Sequence, residues 1–409
     1  MQLLHSATRN YSWGSRTLIP HLKGQPDADK PIAELWFGAH PGDPSTVDGR
    51  LLNEVIAEDP AGQLGSRVSA EYGERLPFLL KVLAAEEPLS LQAHPSKEQA
   101  EEGFARENAA GIELTASNRN YKDDNHKPEL IVALTDFYAM AGFRPLARTR
   151  ELFAALECPE LDHYVAMLDD DPSATTESAN LRVLFTTWIT IPSAKRKELI
   201  SAIVAAGERL IAADPADWKS RVMSTVLDLN QRYPGDIGVL GALLLNHIEL
   251  SPGEAVYLDA GQLHAYVSGL GVEIMANSDN VLRGGLTPKF VDVPELVKVL
   301  TYGAADEPRV QQQDKSAQDN VHDAAVWSYP VPIEEFLLDR VELTGSSSVD
   351  LDYDGPTIAL CTAGSVTFTD AAGNTLTATP SQAVWLPASE GLVTATAASD
   401  AADLFVARA

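Results

Sequence analysis

The segment LSLQAHPSKEQ (residues 89–99) begins as a buried β-strand and then places two polar side chains where apolar ones are expected. Successive side chains on a strand point to opposite faces, so Gln92 and His94 share one face while Leu91 and Ala93 share the other. A carboxamide and an imidazole on one face of an apolar strand predict a common polar partner for both. The chain must therefore fold so that this partner reaches the strand.

The sequence on either side of this segment has the composition of short β-strands. Residues 1–146 are rich in proline and glycine, and their apolar runs LPFLLKVL, LSLQAH, PELIVALT and FYAMAGF predict strands with helical decorations. In residues 147–248 apolar residues recur every three or four positions, which predicts a block of helices. We interpret its last segment, DIGVLGALLLNHIEL, as helical, with His247 at a helix end.

Strand-like sequence resumes after the turn signal SPGE, with AVYLDAG, HAYVSG and GVEIMAN. Residues 249–310 are thus expected to complete the β-unit begun by residues 1–146. A polar stretch predicts a connecting loop, and residues 325–409 alternate in polarity between glycine and proline turns. The sequence predicts a mainly β protein with an α insertion, whose C-terminal β-barrel or sandwich forms a unit of its own.

The charge balance disfavours several classes of partner. Of 409 residues, 58 are acidic and 31 basic, giving a formal net charge of −27, which repels nucleic acid and anionic membranes. The start MQLLHSATRNYSWGS lacks the pattern of a signal peptide, so we expect a cytoplasmic protein. Cys158 and Cys361 suggest neither a disulfide framework nor a thiolate site, so any metal needs nitrogen and oxygen ligands.

A few histidines lie where other possible metal ligands converge. Gln92 and His94 offer two ligands from one strand, HKPE offers His126 and Glu129 before another strand, and GQLHAY offers His264. Spacing alone leaves other interpretations open. The Gln–His pair can bond to neighbouring backbone, HKPE can be a solvated turn, and the histidine of HAY can be a hydrogen-bonded barrel residue.

Basic residues accompany these candidates. Lys81, Lys127, Arg283 and Lys289 lie in or next to apolar or glycine-flanked segments. An apolar run such as LPFLLKVLA rarely tolerates an unpaired charge, so an anionic partner is predicted for Lys81. The two glycines after Arg283 allow either close approach of a ligand or a turn. Together these residues predict a metal site with cations for an anionic ligand.

Several segments of the chain resemble type I mannose-6-phosphate isomerase, a zinc-dependent family of the cupin superfamily. They run in order from residue 10 to 300: NYSWGS, ELWFGAHPGDPS, LPFLLKVL, LSLQAHPSKEQA, NYKDDNHKPELIVAL, FYAMAGFRP and EIMANSDNVLRGGLTPKFVDVPELVKVL. The resemblance implies two cupin-like β-barrels around a helical insertion and one zinc ion per chain. The ligands that it implies are Gln92, His94, Glu129 and His264.

The resemblance also implies a reaction, the interconversion of D-mannose 6-phosphate and D-fructose 6-phosphate through a cis-enediol. Arg283 is implied in the active site, where it would stabilise an enediolate or hold the sugar. Glu273 is our first candidate for the general base, with Asp279 and Lys127 as rivals. An equally weighted alternative is that Glu273 orients Arg283 or a zinc ligand.

Cations and hydroxyl groups are expected to bind the phosphate of the substrate. Lys81, Ser90 and Lys289 are the candidates, and Tyr266 and Asp279 are further expected substrate contacts. We expect a monomer whose partner is this small molecule, with neither nucleic acid nor membrane. Two other functions compete: a non-catalytic sugar-phosphate sensor that keeps the pocket, and a cupin oxygenase that uses iron.

Overall fold

The computed structural model describes residues 1–169, 171, 173–304 and 308–409. Before residue 146, strands alternate with four helices in the described chain. The strands are β1 (Gln2–His5), β2 (Ala7–Arg9), β3 (Glu34–Phe37), β4 (Thr46–Val47), β5 (Arg50–Leu51), β6 (Phe78–Ala85), β7 (Leu91–Ala93), β8 (Glu129–Ala133) and β9 (Phe137–Phe143). The helices are α1 (Leu18–Leu22), α2 (Leu52–Glu58), α3 (Pro60–Tyr72) and α4 (Lys97–Ala109).

A run of helices follows, and strands then resume. The helices are α5 (Leu146–Leu156), α6 (Pro159–Val165), α7 (Ala174–Ile189), α8 (Ser193–Ala213), α9 (Trp218–Arg232) and α10 (Ile237–Ala242). Next come β10 (Leu245–Leu250), β11 (Ala255–Leu258), β12 (His264–Ala276), β13 (Leu282–Gly285) and α11 (Val293–Val299). The predicted order of β-rich, helical and β-rich sequence is thus seen in the structure.

The last part of the described chain consists of strands alone. They are β14 (Gln313–Asp314), β15 (Val321–His322), β16 (Ala325–Ser328), β17 (Leu337–Thr344), β18 (Ser348–Leu351), β19 (Thr357–Ala363), β20 (Val366–Asp370), β21 (Thr375–Ala378), β22 (Ala383–Leu386), β23 (Val393–Ala397) and β24 (Ala401–Arg408). Within the described residues, no helix is both long and apolar enough to cross a membrane.

Three antiparallel sheets organise the strands. A ten-stranded sheet runs β10-β9-β12-β6-β3-β2, with β7, β8, β11 and β13 joined to it. A nine-stranded sheet runs β14-β16-β17-β24-β19-β22-β1-β4-β5, and a five-stranded sheet runs β15-β18-β23-β20-β21. β1 pairs with β22, so the C-terminal sheet takes strands from the first residues of the chain. The prediction that the C-terminal strands form a unit of their own is wrong in this respect.

Apolar cores lie on both sides of the large sheets. Phe37 and Leu80 of the ten-stranded sheet share one buried cluster with Ile358 and Phe405 of the nine-stranded sheet. On the helical side, Phe143 packs edge-on against Phe185 of α7, with ring centroids 5.7 Å apart. Burial of one such side chain contributes about 1.5–3 kcal/mol, so these contacts hold the helices and both sheets together.

The long strand β12 connects the parts of the ten-stranded sheet. Its first half pairs with β9 and β7, and its second half pairs with β6 and β8. The change of partner occurs at Gly269, whose φ is +124°. A Cβ there would lie only 2.7 Å from the carbonyl oxygen of Asp136, so glycine is required at this crossing. One strand thereby reaches β6, β7 and β8 together.

The segment that contains Gln92 and His94 forms a shorter strand than the sequence predicts. β7 comprises only Leu91–Ala93, and a capping box ends it. Ser96 Oγ accepts from Gln99 N at 3.2 Å, while Gln99 Oε1 accepts from Ser96 N at 3.0 Å. This reciprocal pair starts α4 at Lys97, shortly after His94, which fixes the direction in which the chain leaves the strand.

The helical interpretation of LLLNHIEL is wrong at its end. α10 stops at Ala242, and Leu245–Leu250 form β10, which pairs with β9. His247 is therefore a strand residue. A short apolar run fits helix and strand alike, and here the edge of β9 provides hydrogen bonds that a helix would not use.

Candidate metal centre and active site

Residues from six strands of the ten-stranded sheet line a cavity of about 520 Å³. β3, β6, β7, β8, β12 and β13 each contribute at least one side chain. Its lining includes these candidates from the sequence: Lys81, Ser90, Gln92, Lys127, Glu129, His264, Tyr266, Glu273, Asp279, Arg283 and Lys289. His94 is fully buried next to this lining. The sheet therefore gathers candidates from distant parts of the sequence around one space.

Two imidazoles and a carboxylate form a buried cluster at this cavity. His94 Nε2 lies 3.5 Å from Glu129 Oε1, and His264 Nε2 lies 3.4 Å from Glu129 Oε2. One ligand atom from each of the three lies within 4.8 Å of the others. Gln92 is the cross-strand neighbour of His264 in β12 and of Arg283 in β13, so its carboxamide belongs to the same region.

Both imidazoles present an unprotonated nitrogen to the carboxylate. His94 donates Nδ1–H to the carbonyl of Asn280 at 2.7 Å, and His264 donates Nδ1–H to that of Gln262 at 2.9 Å. Both Nε2 atoms are then lone-pair acceptors that face Glu129, and His94 Nε2 has no hydrogen-bond partner in the described part of the chain. Buried lone pairs that face one another repel unless a cation lies between them. The two imidazole nitrogens and the carboxylate therefore fit a zinc ion.

The electrostatics keep His94 neutral and Glu129 charged. Burial lowers the pKa of His94 to about 4, although the Glu129 carboxylate opposes the shift. Burial by itself would raise the pKa of Glu129, but Lys127, whose Nζ lies 3.1 Å from Glu129 Oε1, and His94 hold it well below its usual range. Near neutral pH His94 and Glu129 are thus in the protonation states that bind a metal.

Comparison with known proteins agrees with this geometry. The family model for the catalytic domain of type I phosphomannose isomerase matches residues 1–146. The mannose-6-phosphate isomerase of Escherichia coli (strain K12) is 36% identical over 402 residues, covering 96% of each chain. The chain belongs to the mannose-6-phosphate isomerase family.

Further relatives of this isomerase family cover most of the chain. The Homo sapiens mannose-6-phosphate isomerase is 35% identical over 389 residues, covering 89% of this chain and 87% of the human one. A crystal structure of mannose 6-phosphate isomerase bound with zinc and yttrium has a TM-score of 0.86 and 33% sequence identity, covering 100% of this chain and 99% of that chain. The family suggested by the sequence motifs is confirmed.

A network of buried charged side chains lies where β12 pairs with β6. Lys81 and Glu273 are paired across β6 and β12, and Lys81 Nζ donates to Glu273 Oε2 at 2.8 Å. Glu34 Oε1 lies 3.6 Å from the same Nζ, and Tyr266 donates its hydroxyl to Glu273 Oε1 at 2.8 Å. The anionic partner predicted for Lys81 is therefore supplied by the chain itself.

The charged residues in this network shift one another's pKa values. Burial alone would lower the pKa of Lys81, but Glu273 and Glu34 raise it above its usual range. Burial raises the pKa of Glu273, with Lys81 opposing and the two nearby carboxylates adding to the rise. Lys81 is consequently a balanced cation, while Glu273 is a more basic carboxylate than an exposed one.

Other cations at the cavity have no carboxylate partner among the described residues. Burial lowers the pKa of Arg283, and burial followed by the charges of Arg283 and Lys122 lowers the pKa of Lys289. In the described residues, none of the three makes an ion pair. Ser90 Oγ accepts a hydrogen bond from Gln92 Nε2 at 3.3 Å. The cavity thus carries positive charge that a phosphate can neutralise.

Asp279 and His126 occupy different environments from the buried carboxylates. The Asp279 side chain is 52% exposed, and its Oδ1 lies 3.6 Å from His40 Nε2. His126, considered with Glu129 as a ligand source, pairs instead with Glu335 of the segment that precedes β17. Asp279 is therefore available to a ligand in the cavity, whereas His126 is not part of the buried cluster.

The glycines after Arg283 lie close to other parts of the chain. Gly285 has a φ of +124°, and a Cβ there would lie 2.4 Å from the backbone nitrogen of Gly238 in α10. A Cβ on Gly284 would lie 3.2 Å from Leu263 Cδ1. Both glycines therefore allow close packing within the chain, and the approach of a ligand to them stays a prediction.

Sequence reasoning missed Glu34, Lys122 and Asn280. Glu34 begins the buried strand ELWF and is only 6% exposed. A charged residue in an apolar run is the same signal that singled out Lys81, so Glu34 was open to prediction. No local pattern distinguishes Asn280, because its role depends on contacts with residues more than a hundred positions away.

Asn280 connects the HKPE segment to His94. Its side chain is fully buried, where Oδ1 accepts from Lys122 N at 2.6 Å and Nδ2 donates to the carbonyls of Asp123 and Asn125 at 2.8 and 2.9 Å. Its own carbonyl accepts from His94 Nδ1. The residue therefore positions the chain before Glu129 and the ring of His94 together.

The Asn280→Ala variant is expected to bind zinc about 10- to 100-fold more weakly, because the backbone carbonyl that orients the candidate ligand His94 loses its support. Competition with a chromophoric chelator measures the affinity. Asn180→Ala is the matched control, since Asn180 is also buried and donates to the carbonyl of Asp169 at 2.8 Å, but in the helical segment. Equal zinc affinity in both variants would contradict the positioning role.

Proposed function

We propose that the chain is a zinc-dependent aldose-ketose isomerase that interconverts D-mannose 6-phosphate and D-fructose 6-phosphate. The observation that most strongly supports this function is the buried cluster of His94, Glu129 and His264 at a cavity of about 520 Å³. That volume lies within the range of about 300–1,000 Å³ typical of small-molecule sites. The names of its relatives and the zinc-bound structural neighbour support the same reaction.

The proposed zinc ligands are Gln92, His94, Glu129 and His264. The unpartnered Nε2 of His94 and the register of Gln92 opposite His264 support this set. When bound, zinc supplies a Lewis acid that polarises the sugar carbonyl. The chain keeps both imidazoles in the tautomer that presents Nε2, and it keeps Glu129 charged through Lys127.

Glu273 is the proposed general base that moves the proton between C1 and C2. It lines the cavity, and its raised pKa makes it a better proton acceptor than an ordinary carboxylate. Tyr266 and Lys81 hold its two oxygens in place, so the carboxylate needs no reorientation for the transfer. Lys127 is the weaker candidate because its ammonium group faces Glu129 at 3.1 Å.

Arg283, Lys289 and Lys122 are proposed to bind the anionic end of the substrate, with Ser90 as a hydroxyl contact. Their charges lack carboxylate partners among the described residues, whereas that of Lys81 is balanced by Glu273 and Glu34. Phosphate binding, which the sequence predicts for Lys81, is therefore proposed for Arg283, Lys289 and Lys122 instead. Arg283 in addition has a permanent charge that can stabilise an enediolate oxygen.

We also propose a division of the chain into cupin-like units. Residues 1–146 and 249–310 would form the catalytic unit, residues 147–248 a helical insertion, and residues 325–409 a second β unit. The helices between β9 and β10, and the antiparallel pairing of these two strands, support an insertion. The exchange of β1 into the C-terminal sheet means that the last unit also needs the start of the chain.

A coupled assay for fructose 6-phosphate tests the proposed function. The zinc-loaded chain is expected to convert mannose 6-phosphate, to lose that activity with a chelator, and to regain it with zinc. Mannose without phosphate is the comparison substrate, and it should turn over far more slowly because the cations of the cavity have nothing to bind. Binding of mannose 6-phosphate without turnover would favour a sensor and contradict an isomerase.

A further inference from the structure

A second cavity, of about 220 Å³, lies where the helical segment meets the ten-stranded sheet. Arg144 follows β9, Arg148 lies in α5, and Trp218 and Arg221 lie in α9. The rest of the lining comes from β10 and from residues 222 and 308–309. None of these residues lines the catalytic cavity, so the two spaces are separate.

Three of its arginines have no acidic partner in the part of the chain that the structure describes. Arg144, Arg148 and Arg221 make no ion pair with any carboxylate of the described chain, although acidic residues outnumber basic ones by 58 to 31. Asp217, beside this group in sequence, is paired with Lys219 at 2.8 Å. Three permanent positive charges around one small space repel one another, so the described chain leaves them unbalanced.

The charge of Arg144 is the most exceptional of the three. Its side chain is only 3% exposed, and its Nε has no hydrogen-bond partner in the described residues. The other nitrogens donate to the carbonyls of Leu243 and Leu245, the latter at 3.1 Å. Burial, and then the charge of Arg148, lower the pKa of Arg144 to about 10. A buried charge whose hydrogen bonds all go to main-chain carbonyls is costly unless an anion joins it.

Trp218 arranges the guanidinium groups. The guanidinium carbon of Arg148 lies 4.4 Å from the centre of the Trp218 ring, and that of Arg144 lies 5.6 Å from it. Cation–π contacts of this kind restrict the two groups before any ligand arrives. His247 adds no charge, because burial lowers its pKa to about 4 and its Nε2–H donates to the carbonyl of Ala242 at 3.0 Å.

The size and the donors of the cavity select the ligand. A volume of about 220 Å³ is below the range of about 300–1,000 Å³ for drug-sized ligands, which favours a small anion over a nucleotide. Planar guanidinium forks match the oxygens of a phosphoryl group and bind them with two parallel bonds. We propose that Arg144, Arg148 and Arg221 bind a small phosphoryl-bearing anion at a site separate from the catalytic cavity.

Inorganic phosphate titrated calorimetrically into the zinc-loaded chain, at constant ionic strength, tests the site. Arg148 and Arg221 are exposed at its rim, so Arg148→Gln/Arg221→Gln should leave the fold and the isomerase activity intact. One phosphate-binding event should weaken at least about tenfold in that variant, since two charge-assisted contacts are lost. Arg75→Gln/Arg209→Gln removes the same charge from exposed positions elsewhere and should bind like the wild type.

Any of the following outcomes would overturn the proposal. Identical isotherms in all three proteins would mean that the arginines bind no phosphate. Equal weakening in both double variants would reduce the effect to net charge. Succinate, a dicarboxylate, is the second probe, and binding of succinate without phosphate would reject the phosphoryl assignment. Phosphate bound only in the catalytic cavity would leave the isotherm insensitive to Arg148 and Arg221.

Discussion

Replacement of Glu129 by glutamine is expected to remove bound zinc and to lower isomerase activity at least about a thousandfold. The variant keeps the shape of the side chain but removes the negative charge that faces two imidazole nitrogens at 3.4 and 3.5 Å. Metal-ion catalysis is worth several kcal/mol, and each 1.36 kcal/mol is about a factor of ten in rate. Zinc content by mass spectrometry and the coupled assay measure the two effects.

A second buried carboxylate gives the matched control. Glu107 is 6% exposed and pairs with Arg119 at 2.9 Å, away from the catalytic cavity. Glu107→Gln should lower the melting temperature because it leaves a buried guanidinium with one partner fewer, yet it should keep zinc and specific activity. If Glu129→Gln retained full zinc and turnover, or if Glu107→Gln lost as much zinc, the buried cluster would not be the metal site.

The site was predictable from sequence to the extent that its signals are local. Strand alternation predicts that Gln92 and His94 share a face, and the structure places both of them at the metal cluster or its cavity even though β7 is only three residues long. The sequence alone did not reveal that β12 crosses from β7 to β6. That crossing brings His264 next to Gln92 and Glu273 next to Lys81.

The errors in the fold prediction share a physical cause. LLLNHIEL satisfies helix and strand patterns equally, and only pairing with β9 decides between them. β1 reads locally as part of the first β-rich segment, but it pairs with β22 across almost the whole chain. Periodicity reports which face of an element is buried, and it contains no information about a partner hundreds of residues away.

The Glu273→Gln variant is expected to lower kcat by a factor of about 10²–10⁴ while KM changes by only a few-fold. Glutamine can still accept from the Tyr266 hydroxyl or from Lys81 through its oxygen, so the substrate cavity keeps its shape. What is lost is the proposed proton acceptor. Exchange of the substrate C2 hydrogen with deuterated solvent, followed by NMR, should slow by the same factor as kcat, and zinc content should be unchanged.

Asp279→Asn makes the same chemical change in a carboxylate whose side chain is 52% exposed. Because solvent screens that charge and neither Lys81 nor Tyr266 holds its oxygens, the Asp279→Asn variant should retain much more kcat and hydrogen exchange than Glu273→Gln. A larger loss of kcat in Asp279→Asn would indicate that Asp279 is the base. The alternative result is that Glu273→Gln raises KM or releases zinc while the rate of hydrogen exchange stays at the wild-type value. Glu273 would then be a positioning residue, because the base is the group that must contact the transferred proton.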